Sequence, residues 1–223
     1  MKTIDEGKGI YGRLPKGHEI LLEIASGAVV EYDGRRWQND MAAFILEHKY
    51  KTVVETGVSN AVSTDRILRA MEQYSGAILY SADPHPMHGT FKNYADHPNW
   101  RHEQMFSLYA MPLFFMEAGP YDLFVHDSDH GVETQTFEYE AGWGLTKPGG
   151  YICSDDWTWD NHRAWDKFCE RHGVGFSNRG ACVYAQKPLD ALMPEHTEEY
   201  AESVMAAAYE LSQLAVDRPA YFR

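Results

Sequence analysis

Two short apolar runs, DLFVH at Asp122–His126 and GYICS at Gly150–Ser154, flank a single helical stretch, and each ends abruptly in carboxylates. Asp127 and Asp129 follow the first run, and Asp155 and Asp156 follow the second. A strand, a helix and a second strand in that order imply a right-handed crossover and a parallel pair. Parallel neighbours bring their carboxyl ends to one edge, which is where open α/β sheets bind ligands. Carboxylates gathered at such an edge repel one another unless a proton or a cation offsets the charge. A divalent cation held by oxygen atoms is the simple remedy, and helix capping is the blander use of the same residues.

The alternation extends through most of the chain. Thr52–Glu55 (TVVE) reads as a buried strand, and Ser63–Tyr74 as a helix with Ile67, Leu68 and Met71 inward. Ala77–Ser81 is a second strand ending near Asp83-Pro84, Trp100–Met105 a third, and Leu108–Glu117 a helix. Asp122–His126, a helix over Val132–Leu145, Gly150–Ser154 and a helix over Asn161–Arg171 complete the regular part. Val174–Ser177 and Ala181–Gln186, joined at Asn178-Arg179-Gly180, read as a hairpin that adds an antiparallel strand at or near the sheet edge. The expected fold is α/β: a doubly wound, mostly parallel seven-stranded sheet with a C-terminal antiparallel hairpin.

Residues 1–50 are expected to form an N-terminal helical cap or lid, with helical patterns at His18–Ser26 and Trp37–His48. The second carries Met41, Phe44, Ile45 and Leu46 on an apolar stripe. Residues 51–187 form the expected core, and residues 188–223 a C-terminal helical extension within one globular domain. Its helix, Glu195–Val216, places Met205, Leu211 and Leu214 near one face, suited to packing or to contact in a homo-oligomer.

A formal charge of −13 argues against a general nucleic-acid or anionic-membrane binder, since both require basic surface. Cys153, Cys169 and Cys182 form no C-x-x-C pair, which excludes a thiolate zinc site of that pattern; Cys153 and Cys182 lie in apolar strands as small core residues. No apolar run reaches membrane-spanning length and no signal-peptide pattern opens the chain, so a reduced, cytoplasmic protein is expected.

The loop after the first strand reads VVETGVSNAVST. Gly57 permits a tight turn and close approach to the backbone. Ser59, Asn60, Ser63 and Thr64 are available to cap the following helix. A dinucleotide fingerprint needs G-x-G-x-x-G, and this loop has one of those glycines. Glu55 stands where phosphate would approach, and it suits a cationic or hydrogen-bond-donating ligand. Asp83 ends the second strand about 26 residues after Gly57, near where an acid takes ribose hydroxyls in doubly wound folds.

Together, VVETGVSNAVST, YSADPHP, DLFVHDSDH and LTKPGGYICSDDW resemble the class I S-adenosylmethionine-dependent methyltransferases. More narrowly they are similar to the metal-dependent small-molecule O-methyltransferases that include macrolide-sugar enzymes and cephalosporin-hydroxylase-like relatives. The resemblance spans about Thr52 to Lys187. It implies S-adenosylmethionine as cofactor, held by Glu55, Thr56, Gly57, Ser59 and Ser63 in the first motif, with Asp83 on the ribose. Phe106 or Ser107 would lie near the adenine, and Asp127 beside the cofactor. Asp127, Asp155 and Asp156 fall on the family's metal-ligand positions, for Mg²⁺ or another divalent cation, and His130 on its D-x-x-H position. Ala61 departs from the pattern, since these loops often carry a second glycine there.

The implied chemistry is methylation of a small-molecule hydroxyl on a sugar, polyketide or phenol. The catalytic residues would be Asp127 and His130, with His130 or a ligand carboxylate as general base. His126 points opposite to Asp127 along a strand and reads as packing or support. Trp157, Trp159 and Trp165 read as core rather than as walls of an acceptor pocket. Two competing readings are a metal-dependent hydrolase or oxygenase, whose two-histidine variant needs His126 and His130 to converge, and a cofactor-binding protein without catalysis.

Overall fold

β-branched and aromatic residues fill the short runs of the alternation, and each run becomes a strand. The computed structural model describes residues 36–87, 96–155, 163–179, 182–193 and 195–215. In chain order the elements are α1 (Arg36–His48), β1 (Thr52–Thr56), α2 (Val62–Met71), β2 (Ile78–Ala82), β3 (Trp100–Glu103), α3 (Ser107–Ala118) and β4 (Tyr121–His126). There follow α4 (Val132–Leu145), β5 (Thr146–Ser154), α5 (Ala164–His172), β6 (Phe176–Arg179), β7 (Cys182–Gln186) and α6 (Glu198–Ala215). The pattern at His18–Ser26 lies outside the described residues, as do Asp156, Trp157 and Trp159.

One seven-stranded sheet has the order β3-β2-β1-β4-β5-β7-β6. β1 to β5 are parallel, and β7 is antiparallel to both β5 and β6. After β3 the chain returns to the middle of the sheet, so β1 and β4 are neighbours. The helices that follow them, α2 and α4, leave on opposite faces, which opens a crevice between their starts.

Side-chain alternation divides the core into two layers. Val54, Tyr80, Phe124, Ile152 and Val183 face α3, α4, α5 and α6. Val53, Leu79, Leu123, Val125, Cys153 and Tyr184 face α1 and α2. Trp165 is buried in the first layer, as its reading as core requires. At the opposite end of the sheet from the crevice, Asp122 Oδ2 accepts the backbone N–H groups of Lys51 (2.5 Å) and Thr52 (2.9 Å), fixing where β1 begins beside β4. Among the described residues no helix is long and apolar enough to cross a membrane.

Several boundaries differ from expectation. β5 starts at Thr146, and its pairing to β4 shifts register between Tyr121 and Leu123, because the strand carries an irregular stretch in which Gly149 takes φ +77°. β6 lies two residues later than the sequence pattern placed it, and α5 begins at Ala164. On α6 the buried residues are Ala201, Met205, Ala208 and Ser212, whereas Leu214 is 80% exposed. The inward face is selected by small side chains that let α6 lie close against α4.

Gly142 shows how tightly α4 lies on the sheet. A Cβ there would sit 2.4 Å from Cδ1 of the fully buried Phe124. Alanine exceeds glycine in helix propensity by about 1 kcal/mol, but overpacking a rigid core costs about 1–3 kcal/mol. Gly142→Ala is therefore expected to lower stability by roughly 1 kcal/mol in urea denaturation; a gain would mean that the Phe124 ring yields.

Candidate active site

The β1–β4 ladder pairs Glu55 with Val125 and Thr56 with His126, and β4–β5 pairs His126 with Ser154. Alternation then sorts the strand ends by face. Glu55 points toward α2, while Thr56, His126 and Ser154 point toward α4. Asp127 and Asp155 follow as the next register pair, and the Asp155 N–H bonds the His126 carbonyl at 3.3 Å.

On the α2 side, Glu55 is completely buried. Its Oε2 accepts the hydroxyls of Thr64 (2.7 Å) and Ser81 (2.9 Å), and the Trp100 indole N–H in turn donates to Ser81 (2.9 Å). Its Oε1 has no hydrogen-bond partner among the described residues. Burial pushes the Glu55 carboxyl up to about 7, although Ser63, Thr64 and Ser81 pull it down. Thus Ser63 and Thr64 serve a buried acid rather than capping α2, whose N-cap is Ala61 without a side-chain bond. A buried carboxylate draws hydroxyl donors more strongly than a helix end that water can reach.

Asp127 and Asp155 lie within hydrogen-bonding reach of each other. Burial, reinforced by the charges of Asp155 and Glu55, raises the Asp127 carboxyl well above the ordinary range. Two neighbouring acids of this kind repel when both are ionised, and a cation beside them would offset that charge. Asp129 turns outward and accepts the Thr134 hydroxyl at 2.9 Å.

Asp83 has a use that its position in the sequence does not reveal. Its Oδ2 accepts the backbone N–H groups of Val58 (2.9 Å) and Ser59 (2.7 Å), and Oδ1 accepts that of His85 (2.7 Å). It fastens the β1 loop to the β2 loop and leaves acceptor capacity mainly on Oδ1. Gly57, with φ +84°, is required for a different reason than ligand approach. A Cβ there would sit 2.0 Å from the Asp127 carbonyl oxygen, so the neighbouring backbone itself occupies that space.

On the α4 side, sequence reasoning missed the central residue. Glu138 is buried, and its Oε2 accepts the Thr56 hydroxyl (2.5 Å), His126 Nδ1–H (2.7 Å) and the Ser128 hydroxyl (2.9 Å). Burial alone would raise this carboxyl, but bonds from His126, Thr56 and Ser107 hold it below its ordinary value. The signal available in the sequence was an acid on the apolar stripe of α4, spaced with Ala141 and Leu145. The hydroxyl of Thr56, a residue the resemblance places in the first cofactor motif, turns to Glu138. His126 is a buried support, as its alternation implied, and the His130 ring lies edge-on to it with centroids 5.8 Å apart. Phe106, 58% exposed at the start of α3, stands edge-on to His85 at the crevice mouth.

Residues 54–157 match the model of a family described as a methyltransferase domain. Among solved structures, an O-methyltransferase from Bacillus cereus in complex with SAH is 14% identical, with a TM-score of 0.57, covering 83% of this chain and 98% of that one. The O-methyltransferase TomG from Streptomyces achromogenes, involved in tomaymycin synthesis and solved with SAM, is 10% identical, with a TM-score of 0.56 and coverage of 84% and 100%. The MycE methyltransferase of the mycinamycin pathway, solved with Mg, SAH and mycinamycin VI, is 15% identical, with a TM-score of 0.52 and coverage of 82% and 57%. No curated protein matches the chain.

The raised Glu55 carboxyl has a definite linkage sign. A group whose folded value lies above its unfolded value contributes stability below the unfolded value and loses it as pH rises through the folded one. Between about pH 4.5 and 7 the ligand-free protein should therefore lose up to roughly 3 kcal/mol at this residue. Glu55→Gln, which mimics the protonated acid, is expected to melt higher than wild type at pH 8 and to match it near pH 4.5. A melting difference that does not change with pH would show that Glu55 does not titrate in this window.

Proposed function

We propose that this chain, a class I S-adenosylmethionine-dependent methyltransferase, methylates a hydroxyl group of a small molecule with the help of a divalent cation. One observation carries the reading: Glu55 and Asp127 gather with Asp155 on one side of the crevice, and burial together with neighbouring carboxylate charge raises the proton affinity of Glu55 and of Asp127. Such a set calls for positive charge, and a sulfonium cofactor bearing an ammonium group brings it. The unpartnered Glu55 Oε1 is an acceptor for that ammonium, and Asp83 Oδ1 retains capacity for a ribose hydroxyl. The exposed Phe106 ring offers the adenine an apolar face.

The donor set also suits a hard cation. Asp127 and Asp155 supply two carboxylates, and Mg²⁺ characteristically takes one or two carboxylates and fills its remaining positions with water and substrate oxygen. Asp156, outside the described residues, would add a third. When bound, the cation would supply Lewis acidity that lowers the pKa of an acceptor hydroxyl. The protein's part is orientation: methyl transfer is an in-line displacement, and holding both reactants in a crevice walled by β1, β4 and their loops supplies much of the rate. The acceptor proton would pass to His130 Nε2 or to a ligand carboxylate oxygen. His126 and His130 do approach each other, with ring centroids 5.8 Å apart, but Glu138 holds His126 on the face away from Asp127, which separates it from the carboxylates that the two-histidine hydrolase or oxygenase would need. Among the described residues no cluster of three or more His, Cys, Asp or Glu side chains could hold a metal.

Calorimetric titration of S-adenosylmethionine, with Mg²⁺ and then with chelator, tests the reading. Micromolar binding is expected, tightening about threefold to tenfold from pH 6 to pH 8 as Glu55 ionises, and weakening tenfold or more in Glu55→Ala. Asp155→Asn should retain cofactor binding and lose any stimulation of hydroxyl methylation by Mg²⁺. Absence of binding by the wild type in every condition would overturn the proposal.

A further inference from the structure

Glu138 stands behind the crevice, outside the set of groups that would touch cofactor or metal, yet two crevice segments end on it. Thr56 closes β1 and adjoins Gly57. His126 and Ser128 flank Asp127 on either side. All three reach the same oxygen, Oε2, within 2.9 Å. These contacts span 82 residues of sequence at their widest, so no local turn enforces them. Glu138 itself is held rigidly, because α4 is pressed onto the sheet at Phe124 and Tyr139 bonds Ser154 at 2.8 Å.

We infer that Glu138 is a positioning residue that ties Thr56, His126 and Ser128 together and so fixes the spacing between the β1 loop and the β4 loop around the cofactor. This rests on the methyltransferase reading and deepens it. An ionised carboxylate suits the task because it accepts several charge-assisted bonds at once and donates none. Its removal leaves three donors without a common acceptor, in a place where Gly57 and the Asp127 carbonyl are already in contact. A small relaxation there alters the cofactor site on both sides.

The test compares Glu138→Ala, Glu138→Gln and the control Glu140→Gln by S-adenosylhomocysteine titration, thermal melting and backbone amide hydrogen exchange. Glu140 lies two residues along the same helix but pairs with Arg171 and His172 of α5, away from the crevice. Glu138→Ala is expected to weaken the product analogue about tenfold or more. Glu138→Gln, which keeps an acceptor oxygen for Thr56 and Ser128, should recover to within about threefold of wild type. In the ligand-free alanine variant, amides at 57–59 and 128–130 should exchange faster, while those of β2 stay protected. Glu140→Gln should bind within about twofold of wild type whatever its melting point. Unchanged affinity and exchange in Glu138→Ala would overturn the inference and leave the methyltransferase reading intact. Equal weakening in Glu140→Gln at a similar loss of melting temperature would also overturn it, by reducing the effect to stability. A wild type that binds no cofactor would overturn both.

Discussion

Thr56 and His126 face each other at the centre of the sheet, and the ladder runs one residue further, through the Asp127 N–H to the Thr56 carbonyl at 3.0 Å. The arrangement of the carboxyl edge depends on that pairing. It sends Glu55 toward α2 and Thr56 toward α4, brings Asp127 level with Asp155, and sets the Asp127 carbonyl against Gly57. Because side chains alternate with a period of two, a slip of one residue would exchange the faces. Glu55 would then meet Glu138, and two buried acids would have to share the same few donors. The register is held at the other end of the strand as well, where Asp122 accepts the first two N–H groups of β1. One acid at the closed end thus helps to decide where the acids at the open end stand.

The two faces treat a buried carboxylate in opposite ways. Burying an ionised carboxylate costs several kcal/mol, and a hydrogen bond to a charged group returns about 1.5–3 kcal/mol. With three donors Glu138 can remain ionised, which agrees with its lowered proton affinity. Glu55 has donors on one oxygen only, and Asp127 has another acid beside it, so both hold protons more tightly than an exposed carboxyl would. The first arrangement suits a permanent structural charge. The second leaves charge demand unmet in the fold, and a cationic ligand can meet it. Stability and function therefore pull against each other at Glu55, on the face where the ligand would enter.

Much of the fold was legible because it rests on short-range regularities. The short apolar runs at Thr52–Glu55 and Asp122–His126, their carboxylate ends, and the hairpin near Asn178 all carry their own signals. Boundaries shifted where a strand ran through an irregular stretch without an apolar pattern, as at Lys147–Gly150. In the site, Glu55, Asp127 and Asp155 were visible as acids at strand ends, and the direction of His126 followed from counting along β4. Glu138 was hidden, since its meaning depends on the rotational phase of α4 against a strand 82 residues earlier at Thr56. Thr56, Ser63 and Thr64 were assigned to cofactor or cap because sequence shows donors but not the buried acids that compete for them. Leu214 was misplaced for a related reason: apolar character marks a candidate face, but the close approach of α6 to α4 selects the small residues.

The loop between β1 and α2 carries a further consequence of its composition. Gly57, Ser59 and Ala61 have φ values of +84°, +46° and +58°, so three residues within five adopt the left-handed region and only one is glycine. For residues with a side chain that region costs roughly 1–2 kcal/mol each. Ala61 therefore does more than narrow the loop where relatives often carry glycine; it adopts the glycine-like conformation and bears the strain. Asp83 opposes that strain by accepting the N–H groups of Val58 and Ser59, while the Met87 N–H bonds the Ser59 carbonyl at 2.9 Å. An acid that would touch a ribose is then also the clasp of the loop beneath it. Weaker cofactor binding on removal of Asp83 would combine a lost contact with a released loop. Glycine at position 61 would relieve part of the strain without touching the acid, which separates the two contributions physically.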